Sequence, residues 1–185
     1  MGMTAYIVLG RFQPFHKGHA HLVSKAHEML SSNDELVVAI GSKQAEWEPN
    51  NPWTSEERHA MIQAWADAQD ITCNIVAIDD INDPPNWVEH ASKTHGVGIL
   101  VTTDEATASL YKDSNFMVSV VEMNERERLE GWRIRQPAKM LSTVYDDDAV
   151  REVLKASIPH SVIEWLIEND GLFRLSTFET GVHAG

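Results

Sequence analysis

Five short apolar runs divide the chain at fairly regular intervals. They lie at about residues 5–9, 35–40, 74–78, 98–102 and 116–121, and segments with helical periodicity separate most of them. Runs of this length predict buried β-strands, and their alternation with helices is typical of a parallel sheet that is covered on its faces. The pattern therefore predicts an α/β protein with a doubly wound, five-stranded parallel sheet and further helices toward the C-terminus.

Capping signals predict where several helices begin. Thr54 is followed three residues later by Glu57, which is the pattern of a capping box. Acidic residues and proline are also favoured at helix starts. They predict further helices beginning near Pro84–Pro85, Asp146–Asp148 and Pro159, the last of which would end before Gly171.

The segment Gly10–His19 (Gly-Arg-Phe-Gln-Pro-Phe-His-Lys-Gly-His) directly follows the first apolar run. It predicts a strand, a tight glycine turn and a helix whose first turn carries His16 and His19. Helix-start N–H groups and the helix dipole favour an anion, which both imidazoles would face. The segment therefore predicts a phosphate site. The alternatives are incidental histidines at a polar helix start, or a metal site of His16, His19 and His21, which lacks thiol and carboxylate partners nearby.

Composition limits the class of partner. The net charge of −13 argues against nonspecific nucleic-acid binding. Cys73 is the single cysteine, and no apolar run approaches the roughly 20 residues of a membrane span, so we expect a cytoplasmic protein that binds neither nucleic acid nor membrane. A homo-oligomer stays open. A polyphosphate ligand would need local cations, which we expect from Arg11, Lys17, Arg58 and Arg151.

The motif at Gly10–His19 resembles the HxGH signature of the nucleotidylyltransferase superfamily. Its Arg-Phe-Gln-Pro-Phe lead-in is similar to nicotinamide mononucleotide (NMN) adenylyltransferases, and so are Gly41-Ser42, Asn51-Pro52-Trp53-Thr54 and Glu57-Arg58. The resemblance implies a Rossmann-like nucleotidylyltransferase domain over residues 1–175, with a flexible tail at 176–185. The similar domain of bifunctional relatives is joined to a Nudix hydrolase module, and the sequence does not decide between a free-standing form and a fragment.

The resemblance also implies the site residues. Trp87 would stack on the nicotinamide ring, because an indole face attracts a pyridinium cation, although a half-buried core aromatic is the alternative. Thr102, Thr103 and Asp104 would contact adenine or ribose, or would cap a helix. The implied catalytic residues are His16, His19 and Arg151. The implied substrate-binding residues are Gly10, Arg11, Phe12, Gln13, Lys17, Gly41, Ser42, Asn51, Trp53, Arg58, Asn82, Asp83, Trp87, Thr102, Thr103 and Asp104.

The chain departs from the family near its C-terminus. The family pattern is Ile-Ser-x-Thr-x-x-Arg, in which the hydroxyls and the arginine hold the ATP phosphates. Alignment on Arg151 places Asp146 and Asp148 where the hydroxyls are expected. Carboxylates would repel phosphates unless a metal bridged them. Alternatively, Ser142-Thr143 supply the hydroxyls, and residues 144–148 are an insertion.

The resemblance implies adenylyl transfer from ATP to NMN, giving NAD and pyrophosphate. The NMN phosphate would attack the α-phosphorus directly, with Mg²⁺ bound to ATP and without a dedicated metal site in the chain. Two alternatives are another nucleotidyl transfer within the superfamily and a non-catalytic domain that binds NMN, NAD or ATP.

Overall fold

The computed structural model describes residues 3–123 and 129–178. Within them, five strands form one fully parallel sheet in the order β3-β2-β1-β4-β5. The predicted α/β class and strand positions are confirmed, with ends that differ by at most one residue. The strands are β1 (Ala5–Gly10), β2 (Glu35–Ile40), β3 (Asn74–Ala77), β4 (Gly98–Thr102) and β5 (Met117–Val120).

The order of the strands reverses between β1 and β4. β1 pairs with β2 on one side, from Ala5 opposite Glu35 to Gly10 opposite Ile40, and with β4 on the other. Gly98 opens β4 against Ala5, where an added Cβ would collide with the Ala5 carbonyl oxygen. In an open parallel sheet, ligands bind beyond the carboxyl ends of the strands at such a reversal.

Outside the sheet, the described residues form seven α-helices and a short 3₁₀ helix, which loops and turns connect. The capping box at α2 is confirmed, since Glu57 N–H donates to Thr54 and the Glu57 carboxylate accepts from Thr54 N–H. The helix α5 was not predicted, and α4 was anticipated only through the helix-cap alternative for Thr102, Thr103 and Asp104. The helices are α1 (Lys17–Glu28), α2 (Ser55–Ala68), α3 (Pro84–His95), α4 (Glu105–Asp113), α5 (Gly131–Leu141), α6 (Asp147–Leu154) and α7 (His160–Glu168), and the 3₁₀ helix is Phe173–Thr177.

The chain forms two compact units that alternate along the sequence. The first unit holds the described residues of Met1–Arg11, His21–Gln44 and Ile71–Asn124, and it contains the whole sheet. Its core lies between the sheet and the helices α3 and α4, where Ile7, Val37 and Leu100 are buried. The second unit holds the described residues of Phe12–Ala20, Ala45–Asp70 and Glu125–Gly185, and in it α2 packs against α7 and α5 against α6.

The described structure continues past residue 176, where the tail was predicted to begin. The 3₁₀ helix extends through Thr177, and Arg174 anchors its start by donating to the Pro52 carbonyl oxygen and pairing with Glu57. Its guanidinium also lies 3.7 Å from the centre of the Trp47 ring. Residues 179–185 lie outside the described part of the chain, so a flexible tail there stays a prediction.

We expect Glu57→Ala to lower the free energy of unfolding by about 2 kcal/mol, because one change removes the capping box and the partner of Arg174. Urea unfolding measures this loss. Glu89→Ala is the matched control, since Glu89 pairs with Lys93 on an exposed helix face and should cost less than about 0.5 kcal/mol. Equal losses in the two variants would contradict the role given to Glu57.

Candidate functional site

A cavity of about 550 Å³ lies in the first unit at the carboxyl ends of the strands. The loops that follow β1, β2 and β3 line it, and β4 contributes through the helix that follows it. The lining residues are Leu9, Gly10, Arg11, Gly41, Ser42, Asp80, Asn82, Asp83, Pro84, Trp87, Thr107 and Leu110. Seven of the predicted substrate-binding residues are thereby brought together.

Two lining residues have backbones in the left-handed region. Ser42 has φ 48° and Asn82 has φ 50°, and neither is glycine. The Gly41 N–H donates to the Gly10 carbonyl oxygen at 2.9 Å, and the Asn82 N–H donates to an Asp80 carboxylate oxygen at 3.1 Å. Backbone strain of this kind clusters at functional sites. The turns after β2 and β3 are therefore held in fixed shapes where they line the cavity.

Trp87 belongs both to the cavity wall and to the core. It lies in the first turns of α3, lines the cavity and packs against the buried cluster that contains Val88. The two interpretations offered by the sequence are therefore compatible, because the ring is half-buried with one part against the core.

The cavity wall also carries charge, positive at Arg11 and negative at Asp80 and Asp83.

His16, directly before α1, and His19, in its first turn, form a stacked pair within the second unit. Their ring centroids are 3.6 Å apart at an interplanar angle of 24°. The Gly18 N–H donates to His16 Nδ1 at 3.1 Å, and the His16 N–H donates to His19 Nδ1 at 3.3 Å. Because each Nδ1 is an acceptor, each neutral ring carries its proton on Nε2 and presents that group as a hydrogen-bond donor.

Burial keeps both rings neutral. Loss of hydration and, second, the charge of Arg135 lower the pKa of His16 to about 3. Loss of hydration and then the neighbouring His16 hold the pKa of His19 well below its ordinary value. Protonation of one ring disfavours protonation of the other at this distance. The pair therefore offers two neutral N–H donors rather than two positive charges.

The lowered pKa of His16 predicts a pH-dependent stability. Between the ordinary value of 6.5 and about 3, the unfolded chain binds a proton that the folded chain does not, so the free energy of unfolding falls as the pH drops below 6.5. We expect a slope of up to ~1.4 kcal/mol per pH unit from this site. Urea unfolding between about pH 7 and pH 4.5 should show it, and His16→Asn should flatten it. Parallel pH dependences in both proteins would contradict this assignment.

Buried side chains support the histidine pair. Phe12, at φ 54°, packs edge-on against His19 with ring centroids 4.7 Å apart, and Phe15 lies 5.7 Å from the same ring. Gln13 accepts from the Trp53 backbone N–H and donates to its carbonyl oxygen at 3.0 and 2.8 Å. The side chains of Phe12 and Gln13, which were predicted to bind substrate, therefore make contacts within the protein. Phe12 packs against His19, and Gln13 forms two hydrogen bonds with the Trp53 backbone.

Trp53 and Arg58 are fully buried in the same unit. The Trp53 indole N–H donates to the Gly171 carbonyl oxygen at 2.9 Å, and Arg58 Nε donates to the Thr54 carbonyl oxygen at 3.2 Å. Asn51 donates to a Glu48 carboxylate oxygen at 3.3 Å, within a turn of the same loop. These contacts give the Trp53 and Arg58 side chains a structural role, in place of the substrate contacts implied by resemblance.

The first turn of α1 uses part of its polar capacity internally. The Lys17 N–H donates to the Ser157 carbonyl oxygen at 2.8 Å, and the Gly18 N–H is bonded to His16. The Lys17 ammonium donates to the Lys155 carbonyl oxygen. Two helix-start amides that the sequence assigns to phosphate therefore already have partners within the protein.

Arg151 is held by carboxylates. It donates two hydrogen bonds to Glu164, at 2.8 and 2.9 Å, and one to Asp148 at 3.1 Å. These hydrogen bonds, first that to Glu164, raise its pKa further. Asp146 caps α6 by accepting from two backbone N–H groups at 3.1 Å. The aspartate run is therefore a helix start with an ion pair.

Two of the three predicted residues at the carboxyl end of β4, Thr102 and Asp104, make hydrogen bonds at the start of α4. Asp104 accepts from the Thr107 N–H at 2.8 Å as its N-cap, and Thr102 accepts from the Asp104 N–H at 3.1 Å. Thr103 lies between them. The helix-cap alternative is confirmed for Asp104. None of the three is among the described residues that line the cavity.

Ser142, the alternative hydroxyl donor, donates to the Lys139 carbonyl oxygen at 2.6 Å.

Arg135, on α5, is the residue that sequence reasoning missed. It is buried, it donates to the Gln13 carbonyl oxygen at 2.7 Å, and its charge acts on His16. Asp80 in the cavity wall was also missed. The heptapeptide Leu-Glu-Gly-Trp-Arg-Ile-Arg that ends at Arg135 has an arginine at the last position of the family's Ile-Ser-x-Thr-x-x-Arg pattern, which was a usable signal. Its hydroxyl positions hold Glu130 and Trp132.

The profile of the cytidylyltransferase-like family matches residues 7–161. The chain belongs to this family. It is also similar to curated archaeal proteins named nicotinamide-nucleotide adenylyltransferase, which confirms the resemblance seen in the motifs. That of Thermoplasma acidophilum is 32% identical over 94% of this chain and 90% of its own length, and that of Haloarcula marismortui is 33% identical over 90% and 82%.

Solved structures agree on the fold. A bifunctional NMN adenylyltransferase/ADP ribose pyrophosphatase from Francisella tularensis matches with a TM-score of 0.60 and 17% identity, covering 96% of this chain. This chain spans 57% of the length of that protein. TmcAL from Thermotoga maritima matches with a TM-score of 0.58 and 10% identity, over 94% of this chain and 57% of its own. No helix in the described residues is long and apolar enough to cross a membrane.

Proposed function

We propose that this protein transfers the adenylyl group of ATP to NMN, giving NAD and pyrophosphate. The observation that carries the proposal is the stacked pair of neutral imidazoles, His16 and His19, with Arg135 beside it. Donors and a guanidinium in a buried setting suit a polyphosphate inside an acidic protein. The similarity to nicotinamide-nucleotide adenylyltransferases supports NMN as the acceptor.

The chemistry requires no protein nucleophile. The 5′-phosphate of NMN has a second pKa near ~6 and is mostly a dianion at neutral pH. One of its oxygens attacks the α-phosphorus of ATP, a new P–O bond forms, and the bond to the β-phosphate oxygen breaks with its electron pair leaving on pyrophosphate. The protein then has to align two anions and stabilise the charge of the in-line transition state.

The second unit supplies the groups for ATP. The Nε2–H groups of His16 and His19 donate to phosphate oxygens, and their neutral state matches this task because no proton has to move. Arg135 neutralises charge that develops on pyrophosphate, with Lys17 as a further cation. We assign this neutralising role to Arg135 rather than to Arg151, because Glu164 and Asp148 already neutralise Arg151.

Mg²⁺ belongs to this proposal as part of the substrate. No group of three or more metal-ligating side chains occurs in the described residues. Mg²⁺ prefers phosphate oxygens and water when the protein offers few ligands. We propose that it enters bound to the ATP phosphates, so activity should require it.

The cavity of the first unit takes NMN in this proposal. Trp87 lies against the pyridinium ring of NMN, and the positive charge of Arg11 attracts the NMN phosphate. We expect Trp87→Ala to raise the KM for NMN about tenfold, because the loss of an aromatic face costs about 1–2 kcal/mol, and to leave the KM for ATP unchanged. Trp87→Phe, which keeps a ring face, should recover most of the loss. An unchanged KM for NMN in Trp87→Ala would contradict this assignment.

The proposal is tested by incubating the purified chain with NMN and MgATP and by quantifying NAD and pyrophosphate. One pyrophosphate per NAD is expected, and no NAD at any Mg²⁺ concentration would contradict the function. A non-catalytic binding domain would bind NMN without turnover. The departure from the family pattern at Asp146 and Asp148 could favour this alternative, but in the structure Asp146 caps α6 and Asp148 pairs with Arg151, so it gains no specific support. The cytoplasmic location and a homo-oligomer stay predictions.

A further inference from the structure

The charges of the cavity wall are separated across the sheet. Arg11 follows β1, whereas Asp80 and Asp83 follow β3, and β2 lies between these strands. Neighbouring strands are about 4.8 Å apart, so the ends of β1 and β3 are about 10 Å apart. Because these residues follow strands that another strand separates, we take Arg11 as the positive side of the cavity and the two aspartates as its negative side.

This separation gives a bound mononucleotide one favoured direction, if the proposed function is right. A phosphate dianion is attracted to Arg11 and repelled by Asp80 and Asp83. The pyridinium ring then lies toward the aspartates, where Trp87 also lines the wall. The substituent on the pyridine ring, which is an amide in NMN and a carboxylate in its deaminated acid form, is thereby held on the acidic side.

Both carboxylates are positioned by hydrogen bonds. Asp83 accepts from the Asn86 side chain at 2.8 Å, and an Asp80 carboxylate oxygen accepts from the Asn82 N–H at 3.1 Å. Gln44 fixes the Asp80 backbone, accepting from its N–H at 3.0 Å and donating to its carbonyl oxygen at 3.1 Å. Their negative charge is therefore presented in a defined place.

We infer that Asp80 and Asp83 make the protein select NMN over its deaminated acid form. The amide is neutral and can donate its N–H groups to a carboxylate, whereas the acid form would place a third carboxylate on the same side of the cavity. Specificity often rests on such repulsion of the wrong substrate as much as on attraction of the right one. The expected preference is about tenfold for each aspartate, the effect of a like charge near a protein surface.

The test compares kcat/KM for NMN and for the acid form, with MgATP in excess, in the wild type, Asp80→Asn and Asp83→Asn. Each substitution is isosteric and keeps a side-chain oxygen as acceptor. Asp79→Asn is the matched control, because Asp79 is exposed in the same loop but does not line the cavity. We expect a preference of about a hundredfold in the wild type, narrowed about tenfold in each of the first two variants and unchanged in Asp79→Asn.

The inference is overturned if the wild type uses both mononucleotides equally well, or if the preference survives both substitutions. It is also overturned if Asp79→Asn narrows the preference for NMN as much as Asp80→Asn and Asp83→Asn do. The effect would then come from the change in net charge and not from the position of the carboxylates. If the wild type converts neither mononucleotide, the proposed function itself fails. Turnover of NMN with an unchanged preference in the variants leaves the proposed function standing.

Discussion

His16→Asn is expected to lower kcat by about 10²–10³ while the fold is kept, because it removes a donor that acts on charge developing in the transition state. Asparagine keeps an oxygen near the place of Nδ1 and can still accept the Gly18 N–H, which His16 Nδ1 accepts at 3.1 Å. It has no group at the place of Nε2. The fall in kcat therefore measures the contribution of the Nε2–H donor and not a change in the structure of the helix start.

His16→Gln sharpens this experiment. Glutamine can place an amide N–H near the position of Nε2, so it should recover part of the activity lost in His16→Asn. The control is His21→Asn on the same helix, whose exposed ring contacts the Glu122 carbonyl oxygen and has no role in the proposal. Steady-state kinetics with NMN and MgATP measure all three. Full activity in His16→Asn would contradict the role of the imidazole.

Arg135→Met is expected to lower kcat by about 10³ or more, the effect seen when an arginine that serves phosphoryl transfer is lost. Methionine fills much of the buried space without a charge, so the change tests charge more than packing. Arg135→Lys should lose about tenfold to hundredfold, because an ammonium keeps the charge but not the planar fork of donors. Removal of the guanidinium should also move the pKa of His16 upward, which NMR titration can follow.

Arg151→Met is the matched control for Arg135. Glu164 and Asp148 hold Arg151, so we expect less than about a fivefold change in kcat, together with a small loss of stability from the exposed ion pairs. Thermal unfolding of both variants separates misfolding from lost catalysis. If Arg151→Met loses as much activity as Arg135→Met while it remains folded, the pyrophosphate role returns to Arg151.

The sheet was predictable because each of its strands is a short apolar run bounded by polar turns. β2 has five of its six residues buried, and such a strand reads clearly in sequence. The helix α5 was missed since Pro137 lies inside it and Gly131 begins it, both of which argue against a helix. The missed helix also explains why the sequence offers Arg151 and not Arg135 for the phosphate role: Arg135 lies on α5, whereas Arg151 lies on α6, a helix that capping signals did predict.

The sequence predicts some parts of the site better than others. Residue spacing shows which residues lie at the ends of strands, but only the packed structure shows whether a side chain faces the cavity or the core. Turn residues at strand ends, such as Gly41 and Asn82, line the cavity as their positions in the sequence imply. Gln13 and Trp53 belong to family motifs that are as specific, yet the Gln13 side chain bonds to the Trp53 backbone and the Trp53 indole donates to the Gly171 carbonyl oxygen. A motif records that a residue is required and leaves open whether its side chain faces the ligand or the core.

The central claim is that the NMN phosphate attacks the α-phosphorus in a single displacement arranged by His16, His19 and Arg135. The most direct test uses ATP with a chiral α-thiophosphate and determines the configuration at phosphorus in the dinucleotide product. One in-line displacement predicts inversion of configuration. Retention would require a second displacement through an adenylylated protein group, and it would contradict the account.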